Sequence, residues 1–154
     1  MELNASKVFD LGINKIILGT SILNKEFARE VMQRFNQNKI IFGLDVELKN
    51  NIYCLASHGW NEVSDIDIFD FVDEIKPIHV LVTDISKDGM MTGPNYDLYS
   101  FLKTKFPDLK NIASGGIRDI NDIQKLIFIK IEYAVIGKAI YEEKIELMEL
   151  LNVN

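Results

Sequence analysis

The sequence has one cysteine, two histidines and three prolines in 154 residues, and no long hydrophobic run. A lone Cys54 cannot form an internal disulfide, and with only His58 and His79 beside it there is no zinc-ligand spacing. Metal and redox chemistry therefore fall in rank. The longest apolar runs, such as Ile40 to Leu44, fall far short of the roughly 20 residues that cross a bilayer, and the opening residues have no apolar signal core. The expectation is a cytoplasmic protein with no membrane partner. Positive charge is the scarcer sign, 17 Lys and Arg against 23 Asp and Glu, and the net charge of -6 repels polyanions, which argues against nucleic acid as a partner. No Pro, Gly or Ser-rich linker and no low-complexity tract interrupts the chain, so one domain is expected over residues 1–154. What is present, 47% hydrophobic and 26% charged residues, is a globular composition with enough length for one core.

Short apolar, β-branched runs alternate with segments of helical periodicity, the pattern of parallel strands joined by crossover helices. Five strands are expected: Lys15 to Gly19, Lys39 to Asp45, His79 to Thr83, Asn111 to Ser114 and Tyr133 to Gly137. Helices are expected after Asn24, Ser64, Asn95 and either Asp119 or Asn121, each of which can cap a first turn, and a last one over Glu142 to Leu151. Residues Asn4 to Leu11 read as the end of a helix stopped at Gly12, with no strand before it. The long connection Val46 to Val63 has room for a hairpin of Val46 to Lys49 against Ile52 to Ser57, turned at Asn50-Asn51, and connections of that length commonly carry function. Five such units fit either an open doubly wound sheet or part of a closed eight-fold barrel, and periodicity alone does not choose.

In parallel α/β folds ligands meet the carboxyl ends of the strands, and here those positions are polar: Gly19-Thr20, Asp45, Thr83-Asp84, Ser114-Gly115-Gly116 and Gly137-Lys138. Alternation along the second strand puts Ile41, Gly43 and Asp45 on one face and the larger Ile40, Phe42 and Leu44 on the other, so Asp45 points into the site. On the third strand the same count turns Thr83 inward and Asp84 outward toward the loop. Ser114-Gly115-Gly116 and Gly137-Lys138, in successive units, suit a phosphate cradle, because glycine lets an anion approach backbone N–H groups closely. Gly19-Thr20 is a second candidate, with a plain turn as the competing reading.

The segment Thr83-Asp-Ile-Ser-Lys-Asp-Gly-Met-Met-Thr-Gly-Pro-Asn95 resembles the sixth βα loop of the phosphoribosylformimino-5-aminoimidazole carboxamide ribotide isomerase family of histidine biosynthesis. Other stretches agree in order: Gly43-Leu-Asp-Val46, His58-Gly-Trp60 with Ser64, Ala113-Ser-Gly-Gly-Ile117 and Val135-Ile-Gly-Lys-Ala-Ile-Tyr141. A sister family, the cyclase subunit of imidazoleglycerol phosphate synthase, shares the barrel, but Thr83-Asp84 with Lys87-Asp88-Gly89, and Gly137-Lys138-Ala139, lie closer to the isomerase.

The resemblance implies a partial (βα)8 TIM barrel, its fourth to eighth strands with their helices, lacking the first three. It implies a phosphorylated ribonucleotide as substrate and an Amadori rearrangement in which one group protonates the ribose ring oxygen and another moves the proton from C2, with no cofactor required. Asp45 matches the general acid, Thr83 a residue that positions the sugar, and Asp88 a loop aspartate near the site, for which a turn role competes. The partner carboxylate of the family lies on its first strand, for which this sequence has no counterpart. Trp60 is expected either to stack on the imidazole of the substrate or to plug the space under its loop, and His58 to be an exposed hairpin residue. Open strand edges imply self-association or a complementary amino-terminal half-barrel. Sugar-phosphate binding without catalysis, and a truncated remnant, are the competing readings.

Overall fold

The computed structural model describes residues 5–153, and Asn4, the expected beginning of the first helix, lies outside them. The elements are α1 (Ala5–Asp10), β1 (Ile16–Leu18), α2 (Lys25–Arg34), β2 (Ile40–Lys49), β3 (Ile52–Ser57), β4 (Glu62–Asp67), α3 (Ile68–Ile75), β5 (His79–Asp84), α4 (Tyr96–Lys105), β6 (Lys110–Ser114), α5 (Ile120–Phe128), β7 (Tyr133–Ala134), α6 (Lys138–Tyr141) and α7 (Leu147–Leu150). They form an α/β fold around one seven-stranded sheet dominated by parallel pairs. Among the described residues no helix is long and apolar enough to cross a membrane.

The parallel strands lie in chain order: β1 beside β2, β2 beside β5, β5 beside β6, and β6 beside β7. An open doubly wound sheet reverses its order at a switch point; no reversal occurs among these five. One face carries Ile40, Phe42, Leu44, Val80, Val82 and Ala113, and these pack with Val31 of α2, Phe71 of α3, Leu98 and Leu102 of α4, and Leu126 of α5 in one core. The other face carries Ile17, Ile41, Leu81, Ile112, Tyr133 and Val135. Ile41 at its centre is buried, whereas Ile17, Tyr133 and Val135 toward the borders are 56%, 56% and 45% exposed.

Local signals account for most boundaries. The Asn24 side chain accepts from Phe27 N–H, Asn95 from Leu98 N–H, and Asp119 rather than Asn121 from the first turn of α5. Gly12, at φ +85°, ends the first helical segment.

Four expectations are corrected. The second strand does not stop at Asp45 but runs unbroken to Lys49, because β3 continues along the edge that β1 leaves free. Residues 62–67 form β4 instead of opening a helix at Ser64: they pair with β3, and the Ser64 hydroxyl donates to the Leu55 carbonyl, so Asp67 becomes the cap of α3. The last parallel strand ends at Ala134 rather than Gly137. The expected terminal helix over Glu142 to Leu151 is helical only at Leu147–Leu150; a separate short helix, Lys138–Tyr141, precedes it, and between them Glu143 takes φ +55° and Ile145 turns into the core.

Glu132 ties α4, β6 and β7 together. Its carboxylate pairs with Lys103 and accepts the Asn111 N–H at 3.0 Å. Partial burial pushes its pKa up, but the Lys103 and Asn111 hydrogen bonds outweigh this and hold it below the ordinary 4.5. A carboxyl depressed in the folded state stabilises the fold above its unfolded pKa, and that contribution is lost as pH falls through the folded value. In urea unfolding, Glu132→Gln is expected to cost about 1.5–3 kcal/mol at neutral pH, and the gap from the wild type is expected to narrow once the pH drops below 4.5. An unchanged gap in acid rules out this anchoring role.

Candidate active site

Three strands present the last inward residues of their parallel registers side by side. Asp45 is the register partner of Thr83, and Thr83 of Ser114. Alternation puts all three on the face away from the helices, as expected from the sequence, since Leu44, Val82 and Ala113 are fully buried in the helix-side core. Their alignment is held from behind by Tyr99 of α4. Its hydroxyl lies 2.9 Å from the carbonyl oxygens of Val82 and Ser114 and accepts the Ser114 N–H at 3.0 Å, clamping the ends of β5 and β6 together. Burial drives the Tyr99 pKa far above the ordinary tyrosine range, so the hydroxyl stays protonated and able to donate.

The hairpin made by the end of β2 with β3, extended by β4, arches over this row. Its β3–β4 tip turns through positive φ at His58, Gly59 and Trp60, and the Trp60 indole N–H donates to Asp45 Oδ2 at 2.9 Å. Trp60 is therefore neither packed under the loop nor free; it holds the candidate acid while part of its ring remains exposed. His58 is exposed, with Ser57 Oγ 2.9 Å and Glu62 Oε2 3.2 Å from its Nδ1. Cys54 is buried within β3.

Asp84 turns away from the row and is buried under the loop that follows β5. Its Oδ1 accepts from Ser86 N–H and Oγ, and its Oδ2 accepts from Asn95 Nδ2 at 2.6 Å. Asn95 Nδ2 also donates to the Tyr53 hydroxyl on β3 at 3.1 Å, which joins the β5–α4 loop to the hairpin. The loop comes back across the end of β6, where Gly93 N–H donates to the Gly116 carbonyl at 2.9 Å.

This contact gives the glycine pair a packing role. Both glycines have positive φ, and a Cβ on Gly115 would lie 3.4 Å from the Asp88 backbone, while one on Gly116 would lie 2.5 Å from Gly93 O. The space that the missing side chains leave is taken by the backbone of the β5–α4 loop. Beside this contact lies a cavity of about 190 Å³ lined by Asp88, Ser114, Gly115, Gly116, Gly137 and Lys138, among others. Lys138 Nζ crosses it to donate to Gly89 O at 3.0 Å.

Six sequence-predicted residues thus meet at one cavity, with Asp45 and Thr83 in the adjoining row and Trp60 above them. Gly19 and Thr20 do not line the cavity. Gly19 leads into a 3-10 turn over Thr20–Leu23, one strand beyond Asp45, where nothing lies within 4 Å of a Cβ position. Tyr99, Asn95 and Tyr53 were not anticipated as supports of the site. Tyr99 reads as one more apolar position of an amphipathic helix, and the others act only through partners distant in the chain. Among the described residues, no group of three or more His, Cys, Asp or Glu gathers to hold a metal ion.

A parallel-dominated sheet whose parallel strands lie in chain order, with carboxylates, a threonine and a glycine-lined cavity at the carboxyl ends of those strands, defines the class: an α/β protein consistent with a TIM-type barrel family. The family model described as "Histidine biosynthesis protein" matches residues 2–146, and the chain belongs to that family. It is 40% identical over 152 residues to the 1-(5-phosphoribosyl)-5-((5-phosphoribosylamino)methylideneamino) imidazole-4-carboxamide isomerase of Clostridium novyi, covering 96% of this chain and 61% of that protein. To the isomerase of the same name from Bacillus cereus strain AH187 it is 40% identical over 154 residues, covering 97% and 62%. To that from Francisella philomiragia it is 35% identical over 154 residues, covering 94% and 62%. The chain thus spans about three fifths of the length of these curated relatives.

Gly116→Ala is expected to displace the β5–α4 loop, since its Cβ would overlap Gly93 O and its φ of +85° is strained for alanine. The expected cost is about 1–3 kcal/mol in urea unfolding, together with faster tryptic cleavage after Lys87 in the loop. Wild-type stability with unchanged cleavage refutes the packing argument.

Proposed function

We propose that this chain supplies the acid-bearing side of a site for aldose–ketose isomerisation of a phosphoribosylformimino-aminoimidazole carboxamide ribonucleotide. The observation that carries the reading is the inward row Asp45, Thr83 and Ser114 opening beside the cavity of Asp88, Gly116, Gly137 and Lys138. A carboxyl group next to an anion-sized, glycine-lined cavity suits a sugar phosphate whose ring opens under acid catalysis. In this reading Asp45 gives a proton to the ribose ring oxygen, and the Trp60 indole orients that carboxyl. Thr83 positions the sugar, and Asp88 takes part in moving a proton between C2 and C1. No atoms are gained or lost, and the reaction consumes no oxidant.

Similarity to proteins named as this isomerase over nearly the whole chain supports the substrate class, and their name carries two phosphoribosyl groups. Gly137 and Lys138, with Ser114, Gly115 and Gly116, serve one phosphate. Gly19 and Thr20 serve the second, a role supported by the open space at Gly19 and its position two strands away from β5 in the same sheet.

The same reading makes residues 1–154 one domain, an arc of a barrel corresponding to its fourth to eighth strands. The chain-ordered parallel strands support it, as does an apolar second face whose borders, Ile17, Tyr133 and Val135, lie open. The edges of β1 and β7 away from the sheet are where three further βα units fit, whether joined to this polypeptide or supplied by another. Such a face favours association. Light scattering of the 154-residue chain at micromolar concentration is expected to report dimers or larger species, and a monodisperse monomer speaks against the arc.

The catalytic assignment is tested by combining the chain with a fragment bearing the first three strands of a relative and following isomerisation. Asp45→Asn and Asp88→Asn are each expected to lower kcat by on the order of 10²–10⁴-fold. A well-folded complex without turnover, or full activity in both variants, defeats the proposal.

A further inference from the structure

Lys138 stands between the glycine-lined end of the cavity and the loop that carries Asp88. It lines the anion cavity, and the same ammonium donates to the carbonyl of Gly89, 49 residues away in sequence and directly after Asp88. The β5–α4 loop is anchored at its start, where Lys87 and Asp88 N–H donate to Asp84 O, and near its end, where Gly93 donates to Gly116. Between those anchors, the hydrogen bond that reaches the loop tip from outside comes, among the described residues, from Lys138. The cavity lining has two charged residues, Asp88 and Lys138. No carboxylate pairs with Lys138 among the described residues. An ammonium has three donors, of which Gly89 uses one, so two remain for an anion.

We infer that Lys138 is a positioning residue that couples occupation of the cavity to the placement of Asp88. A phosphate between Gly116 and Gly137 takes the two free donors and fixes the ammonium inside the cavity. The Gly89 carbonyl, bonded to the same ammonium, is then held in place, and Asp88 with it. Without an anion, the tip is held from outside by the packing of Met91 against the core and by one neutral-acceptor hydrogen bond from a long, flexible side chain, and the loop opens more readily. The acid–base loop is thereby ordered when the phosphate end of the substrate is seated. This inference rests on the reading of the cavity as a phosphate site.

Hydrogen–deuterium exchange of the full chain, with and without inorganic phosphate, reads the loop and the cavity at once; calorimetry reads occupation. In the wild type, phosphate is expected to slow exchange at residues 114–117 and 137–139, and also in the loop at 85–93, the latter by roughly tenfold. Lys138→Met is expected to need more phosphate for the same cavity protection and, once saturated, to leave the loop as open as in the free protein. Loop protection in saturated Lys138→Met equal to that of the wild type overturns the coupling alone. Where Lys138→Met takes up no phosphate, Lys138→Arg carries the test: restored binding with restored loop protection supports the coupling, and restored binding with an open loop overturns it. Absence of phosphate binding by the wild type overturns the phosphate-site reading and the coupling with it, and calorimetry separates that result from the others.

Discussion

The ten-residue strand Ile40–Lys49 organises the molecule because it is paired along both edges for different purposes. One edge lies against β5 throughout its parallel register, from Phe42 opposite Val80 to Val46 opposite Asp84. The other edge is divided: its first residues pair with β1, and its last five form an antiparallel ladder with β3. That division raises the hairpin at the carboxyl end of the sheet. Strand alternation does the rest, since each large apolar residue committed to the helix side obliges its neighbour to face the other way. Leu44 in the core is what aims Asp45 at the site.

The ends of the parallel strands are then held in relation to one another by polar contacts made behind and above them. Tyr99 clamps β5 to β6 through three backbone groups, Asp84 and Asn95 fasten the β5–α4 loop and link it to Tyr53 on the hairpin, and Glu132 anchors the start of β7. None of these groups faces the cavity. They lend the site its precision, because a buried hydrogen bond left without its partner costs more than the bond contributes when made. The glycine pair belongs to the same support: Gly115 and Gly116 let one backbone lie directly on another.

Strands with large residues on one side, caps such as Asn24 and Asn95, and the polar ends of the strands were legible from the chain, since each depends on neighbours a few residues away. The helix expected at Ser64 was not a misreading of local preference. Residues 62–67 carry enough β-branched and apolar character to go either way, and pairing with β3 decided the outcome. The indole of Trp60 illustrates the same limit. Both expected roles assigned it to the substrate or to the core, yet its polar edge reaches a carboxylate fifteen positions earlier because two strands of a hairpin turn back over β2.

Period, capping and residue type therefore suffice to establish the α/β class, the helix starts after Asn24 and Asn95 and the inward placement of Asp45 and Thr83, because these arise from geometry repeated within a few residues. They cannot specify that Gly116 receives the Gly93 backbone, that Tyr99 joins two strands, or that Lys138 reaches Gly89. Those contacts bridge 15 to 49 positions of chain. They exist only once packing has brought separate elements within a few ångströms, which is the range over which hydrogen bonds and steric exclusion act.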